Sequence, residues 1–181
     1  MYDLPLGITD PLDEIAVAAG SISGLTNWLI RRGWTGETLQ MLGVGFLMVA
    51  GYTVHYSHRI RTIAFGCWLL LNSFAFAVSY TRGDIVSMLQ FRFVVQFCVG
   101  MALWRLIYSL NPESWLLWFA GWPAVGLSGI NTILLWKYRT TDNGNTRRAL
   151  TKYLKVSRWW GASTWNIFYL VLLAASGIRM S

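Results

Sequence analysis

The sequence predicts an all-α protein, a polytopic transmembrane helical bundle of five spans preceded by an N-terminal interfacial amphipathic helix. Three observations support this prediction. First, the 181 residues of the chain are 55% hydrophobic. Second, the apolar residues come in long blocks, without the alternation typical of half-buried strands. Third, five blocks hold no Asp, Glu, Lys or Arg: residues 39–54, 63–80, 93–104, 115–136 and 165–178. Because charged groups are costly in hydrocarbon, charge-free blocks of this length indicate membrane spans.

The N-terminal segment, residues 1–35, is predicted to contain a helix that lies in the membrane interface. Asp10 is placed to cap its free N–H groups, and Pro11 suits its first turn. Apolar residues recur at helical spacing from Ile15 to Ile30, but 16 residues are few for a span. We therefore expect this helix to lie along the membrane surface.

Four spans follow within residues 36–138, at about 36–56, 60–80, 85–110 and 114–138. The third is roughly 40 Å long at 1.5 Å per residue, so it must tilt or project from the hydrocarbon. Residues 139–162 are predicted to be a basic amphipathic cytoplasmic segment with a helix from Arg147 to Trp160. Residues 163–181 hold the fifth span, whose helix must start near Trp159 to be long enough to cross.

Basic residues are divided unequally between the two ends of the predicted spans. The positive-inside rule therefore places the N-terminus and the basic segment in the cytoplasm, and the C-terminus outside. We expect a multi-pass integral protein of a bacterial inner membrane, or a viral protein in its host's inner membrane. Ten basic residues share one side and four share the other: Arg31, Arg32, Arg82, Lys137, Arg139, Arg147, Arg148, Lys152, Lys155 and Arg158, against Arg59, Arg61, Arg105 and Arg179.

Arg92 is the charged residue placed deepest in a predicted span. It lies about 12 Å along the third helix, on the same face as Gln96. An arginine at that depth is paired, faces water, or extends its long stem to the interface. Since no acid lies within an apolar block, we expect both residues to contact lipid or another subunit. The partner of Arg92 would be another chain, a lipid phosphate or a backbone carbonyl.

Two further groups of residues are predicted to contact lipid or partner subunits. One is a tryptophan stripe in the fourth span, and the other consists of three basic residues on one face of the 147–160 helix. We expect Leu150, Tyr153 and Leu154 on the opposite face of that helix. Since the basic residues adjoin apolar blocks, anionic lipid is the expected counter-charge, with bound phospholipid and no nucleic acid. The stripe is Trp115, Trp118 and Trp122, and the basic residues are Arg148, Lys152 and Lys155.

Uncharged polar residues within the spans raise the possibility of a solute pathway. Asn72, Gln90 and Asn131 are the candidate lining residues, together with Arg92 and Gln96. Such groups more often hydrogen-bond between neighbouring helices of a bundle. We keep the pathway as the less favoured interpretation.

His55 and His58 are three residues apart, a spacing that two metal ligands on one helix face can have. No nearby Cys, Asp or Glu completes such a site, and two haem ligands would be expected on different helices. We therefore expect interfacial histidines, and no cofactor other than phospholipid.

The sequence lacks the phosphate-binding glycine motifs, HExxH and CxxC. We expect no enzyme, but an integral membrane subunit that packs in, or scaffolds, a larger homo- or hetero-oligomeric membrane assembly. One alternative is a pore-forming or channel protein, including a holin-like one. A second alternative is a redox subunit that carries haem or a metal.

Overall fold

The computed structural model describes residues 5–53, 57–110 and 115–178, and their side chains except at 97, 99–110, 115–125, 168, 172, 173 and 175–178. Over these residues the protein is all-α and contains no strand, as predicted. A short 3₁₀ turn, Arg158–Trp160, precedes the last helix. The helices are α1 (Pro11–Ser23), α2 (Leu25–Arg31), α3 (Gly36–Tyr52), α4 (His58–Arg82), α5 (Ile85–Leu110), α6 (Trp115–Thr140), α7 (Gly144–Ser157) and α8 (Ala162–Ile178).

Side-chain caps determine where several of these helices begin. Asp10 caps α1 as predicted, since its Oδ1 accepts a hydrogen bond of 2.8 Å from the backbone N–H of Leu12. Thr35 and Ser57 cap α3 and α4 in the same manner, each through its hydroxyl oxygen. Each cap satisfies an N–H group that the helix itself leaves unpaired. The last helix begins at Ala162, after the 3₁₀ turn and not near Trp159 as we expected.

Helix α1 is part of the bundle and packs against α4 and the start of α8. It buries Asp13 and Gly20, while Ile15 and Ile22 are 62% and 89% exposed. At Gly24, with φ of 67°, the chain turns into α2. The single helix predicted for this segment is therefore two helices, and in the first of them Asp13 and Gly20 face inward while Ile15 and Ile22 face outward.

Helices α3 and α4 form the most extensive helix pair in the described structure. Gly36 lies against α4, where an added Cβ would be 2.9 Å from the carbonyl oxygen of Ala75. The missing side chain lets the two helices approach closely, as small residues do in membrane bundles. Leu47, Phe65 and Trp68 belong to the main apolar core between these helices, α5 and α8.

Helix α7 turns back along α6. Asn131 Nδ2 on α6 donates a hydrogen bond of 3.0 Å to Ser157 Oγ at the end of α7. Leu150 and Leu154 are buried in a core cluster with side chains of α4, α5 and α6. Tyr153, which we expected beside these leucines, is instead 66% exposed. The inward face of α7 is too narrow to include it.

Among the described residues, α4 is the helix that is long and apolar enough to cross a membrane. Helices α3 and α8 have 17 residues each, and Ile85–Gln96 in α5 is a shorter apolar stretch. The length and composition of α4 are those of a membrane span, and they give no topology. The arrangement of five spans stays a prediction.

Candidate functional site

Arg92 and Asp13 form an ion pair in the interior of the bundle. Arg92 Nη1 lies 2.6 Å from Asp13 Oδ2, and Nη2 lies 2.9 Å from Oδ1, so the pairing is bidentate. Arg92 is 2% exposed and Asp13 is 0% exposed. Our expectation of a lipid, backbone or second-chain partner was wrong, because the helix that we placed in the interface brings its own carboxylate to the guanidinium.

The ion pair is surrounded by hydrogen bonds that join five helices. Ser163 Oγ donates to Asp13 Oδ1 at 2.7 Å and accepts from Arg92 Nη2 at 2.8 Å. Asn72 Oδ1 accepts from Arg92 Nε and from Gln40 Nε2, each at 3.3 Å, while Asn72 Nδ2 donates to Ser163 Oγ at 3.1 Å. We call Asp13, Gln40, Asn72, Arg92 and Ser163 the polar network; they come from α1, α3, α4, α5 and α8 respectively.

The hydrogen bonds of this network follow the ordinary donor and acceptor capacities of its groups. Asp13 is a pure acceptor and Arg92 a pure donor, while the single hydroxyl proton of Ser163 goes to Asp13. Burying two charges costs several kcal/mol per ion, and a bidentate pair with further hydrogen bonds offsets that cost. The network therefore acts as a structural joint between helices.

Asp10 binds the N-terminal ends of two helices at once. Besides capping α1, its Oδ1 accepts from Thr164 Oγ1 at 2.6 Å and its Oδ2 accepts from the Thr164 backbone N–H at 2.9 Å. Gly161 lies directly against this carboxylate, and an added Cβ there would be 2.6 Å from Asp10 Cβ. The start of α8 is thus held against the start of α1.

The pKa of Asp10 is raised to about 6, mainly by burial and also by the neighbouring negative charge of Asp13. The hydrogen bonds from Thr164 and the positive charge of Arg92 act in the opposite direction but do not offset these effects. The charge of Asp10 therefore changes at mildly acidic pH.

Glu14 makes the third acidic contact of this segment. Its Oε1 accepts from the backbone N–H of Gly7 at 2.6 Å and from Thr9 Oγ1 at 2.7 Å. Its Oε2 lies 3.1 Å from Arg158 Nη2, in the 3₁₀ turn before α8. Like Asp10 and Asp13, Glu14 thus ties the N-terminal segment to residues 158–164.

Gln96 is also buried, at 6% exposure, so its expected contact with lipid or another subunit is not available in this structure. Its Oε1 accepts a hydrogen bond of 3.1 Å from Thr132 Oγ1, which joins α5 to α6. Within the described part of the chain, its Nε2 has no hydrogen-bond partner.

The three candidate pathway residues are not brought together. Asn72 belongs to the polar network and Asn131 to the contact between α6 and α7. Gln90 is exposed in a groove of about 390 Å³ between α5 and α6. The groove is lined by Leu89, Gln90, Phe93, Thr132, Ile133 and Trp136. A pore lined by Asn72, Gln90 and Asn131 within one chain does not match this arrangement.

The structure describes only some of the candidate metal-binding histidines and lipid-contacting tryptophans. His55 and the side chains of Trp115, Trp118 and Trp122 lie outside the described residues. His58 Nδ1 lies 2.7 Å from Arg61 Nη2 on the same helix. Over the described ranges, no group of three or more His, Cys, Asp or Glu residues could hold a metal ion. Contact of the tryptophan stripe with lipid or a partner stays a prediction.

Asp13, Ser163 and Gln40 are the network members that the sequence analysis did not single out. The acids at positions 10, 13 and 14 lie at the start of a helix in the sequence, and nothing in that pattern links Asp13 to Arg92. Ser163 and Gln40 carry no signal of their own, since single serines and glutamines are common in helices.

The chain matches none of the protein-family models, curated proteins or solved structures with which it was compared. The features of the chain that bear on its function are the polar network, the distribution of its apolar side chains and the basic residues of α7.

Proposed function

We propose that this chain is a non-enzymatic integral membrane subunit that packs in, or scaffolds, a larger membrane assembly. The observation that carries the proposal is that the outer surface of the bundle is rich in large apolar side chains, while an ion pair and several amides are buried beside its apolar core. Charged and amide side chains meet in its interior, whereas large apolar side chains of several helices point away from it.

Large apolar residues are exposed on all eight helices, and those of α3, α4, α5 and α8 support this proposal. Monomers in water rarely expose contiguous apolar patches beyond a few hundred Å², because exposing such a surface to water is unfavourable. In a bilayer the same surface contacts acyl chains or other apolar helices. The most exposed of these residues, each at least 58% exposed, are Met41, Met48, Tyr52, Ile63, Leu70, Val94 and Val171.

The polar groups support a structural role. Asp13, Arg92 and Ser163 have each other as partners, and Asn72 and Gln40 complete the same network. A catalytic acid, base or nucleophile would have to face a space that a substrate can reach. These side chains instead bind helices to one another, and the outer surface is left for lipid and partner helices.

The helix lengths are compatible with five spans. Helices α4, α5 and α6 have 25, 26 and 26 residues, or about 38 Å each, while α3 and α8 are about 25 Å long. The two short helices would need local thinning of the bilayer or polar ends that extend the span. We propose α3, α4, α5, α6 and α8 as the spans, with the N-terminus in the cytoplasm.

Cysteine labelling of the full chain in intact cells tests this topology. The two native cysteines are first replaced by Ala, and one cysteine is then introduced by Asp142→Cys or by Ser181→Cys. A membrane-impermeant maleimide should label the second variant but label the first only after cell lysis. Labelling of both or neither in intact cells would overturn the five-span topology.

Extraction tests the two other parts of the proposal. The chain should stay in the membrane pellet at alkaline pH in carbonate, and release into the supernatant would refute integral insertion. After mild detergent extraction, it should migrate at a mass that includes a second copy or another membrane protein. A lone monomer at all detergent concentrations would refute the subunit role.

A further inference from the structure

One exposed face of α7 carries a stripe of positive charge. Arg148, Lys152 and Lys155 are exposed at spacings of four and three residues, so they lie one above the other along the helix. Within the described residues none of the three takes part in an ion pair. No Asp or Glu follows Asp142 in the chain, so α7 has no acid of its own to neutralise the stripe.

An exposed apolar stripe runs beside the basic one. Tyr153 and Val156 are 66% and 69% exposed, and they follow Lys152 and Lys155 by one residue each. In the 3₁₀ turn that continues α7, Trp159 and Trp160 are 62% and 40% exposed. Apolar and basic residues thus share the outward side of the helix.

We propose that this outward side, the α7 face, binds the headgroup region of a bilayer containing anionic phospholipid. The α7 face consists of the basic residues Arg148, Lys152 and Lys155 and the apolar residues Tyr153, Val156, Trp159 and Trp160. The inference rests on the proposed function, because the spans hold α7 next to the membrane.

The physical basis is that of interfacial amphipathic helices. Lysine and arginine attract anionic headgroups, while tyrosine and tryptophan place an apolar ring among the acyl chains and a polar atom in the headgroup layer. Leu150 and Leu154 are already buried within the protein, so the membrane contact uses a different apolar stripe of the same helix. A nucleic acid or an acidic protein would satisfy the charges, but neither accounts for the adjacent apolar stripe.

The position of α7 in the chain supports the same partner. Helix α8, proposed to enter the membrane, begins at Ala162, directly after Trp160 and Gly161. The ring of Trp160 lies 5.2 Å from that of Trp165 in the first turns of α8. The aromatic end of the α7 face is therefore next to the point where the chain enters an apolar segment.

A solvent-sensitive fluorophore at position 156 tests the proposal. Val156→Cys is labelled with a nitrobenzoxadiazole dye in a chain whose native cysteines are replaced, and the protein is reconstituted in vesicles. Emission should shift to shorter wavelength in vesicles of phosphatidylcholine with phosphatidylglycerol, relative to phosphatidylcholine alone. The triple variant Arg148→Gln/Lys152→Gln/Lys155→Gln should lose this difference.

The matched control removes the same charge from exposed residues elsewhere, through Arg31→Gln/Arg32→Gln/Lys137→Gln, and should keep the shift. A dye that reports water in both kinds of vesicle would overturn the proposal, as would a shift that the α7 triple variant retains. A shift that needs added RNA or an acidic protein would point to another partner and overturn it too.

Resistance to carbonate extraction, measured on the same vesicles, separates the two proposals. If the protein stays inserted while the dye reports water, the α7 face is wrong and the integral membrane role stands. If the protein is released, both are wrong.

Discussion

Replacing Asp13 with asparagine should destabilise the bundle by about 3–5 kcal/mol, the usual cost of breaking a buried pair by removing one partner. The side chain keeps its size, but Arg92 loses its counter-charge at 2.6 and 2.9 Å. An arginine does not give up its proton in a protein, and at 2% exposure it has almost no water to replace the carboxylate. The full cost of an unpaired buried charge should therefore appear.

The assay is thermal unfolding in mild detergent, followed by circular dichroism. For a chain of this size, 3–5 kcal/mol corresponds to a lower melting temperature by roughly 6–20 °C. Asp84→Asn is the matched control, because Asp84 pairs with Arg82 at 3.0 Å while both side chains are about one-third exposed. That exposed pair should contribute at most about 1 kcal/mol.

A double variant separates the ion pair from its two members. In Asp13→Leu/Arg92→Met neither charge is left unpaired, so the loss should be smaller than the sum of the two single losses. Two results would refute the reasoning: a loss for Asp13→Asn no larger than for Asp84→Asn, or single losses that simply add in the double variant.

Three more predictions concern the contacts around this joint and α7. Gly161→Ala should destabilise the protein by about 1–3 kcal/mol, because the new Cβ would be 2.6 Å from Asp10 Cβ. The control Gly144→Ala places its Cβ in open space and should be tolerated. Equal melting temperatures for the two variants would contradict this prediction. The pKa of Asp10 is raised from 3.8 to about 6, so between these pH values the folded state binds more protons than the unfolded state. Stability should therefore rise by up to about 3 kcal/mol as pH falls from 7 to 4, and an unchanged pH slope in Asp10→Asn would rule out this origin. Leu154→Ala should cost about 2–5 kcal/mol because Leu154 is fully buried, while Val156→Ala, on the exposed side of α7, should change little in the same detergent melts.

Local sequence patterns predicted the helices well because caps and periodicity act over a few residues. Asp10 caps α1 as expected, and the inward placement of Leu150 and Leu154 on α7 follows from their spacing. The same reasoning was wrong for Tyr153, which lies one residue from an inward position. How wide the buried side of a helix is depends on its neighbours and not on its own sequence.

The environment of α1 was misjudged for a related reason. Its apolar residues Ile15 and Ile22 have the spacing of a membrane-facing stripe, and its acids have the positions of a helix cap. Both observations are correct, but they do not reveal that Asp13 also faces Arg92. The capping pattern accounts for one acid and leaves the role of the other two open.

By itself, the sequence determined an all-α chain with charge-free apolar blocks and one arginine, Arg92, that needed a partner within or beside the bundle. Only the tertiary structure decided that the partner is Asp13, 79 residues earlier in the chain, and that Ser163, 71 residues later, joins the two. Helical periodicity sets which side of each helix is apolar. Which polar residues meet depends on how five helices pack together, and no local pattern encodes that.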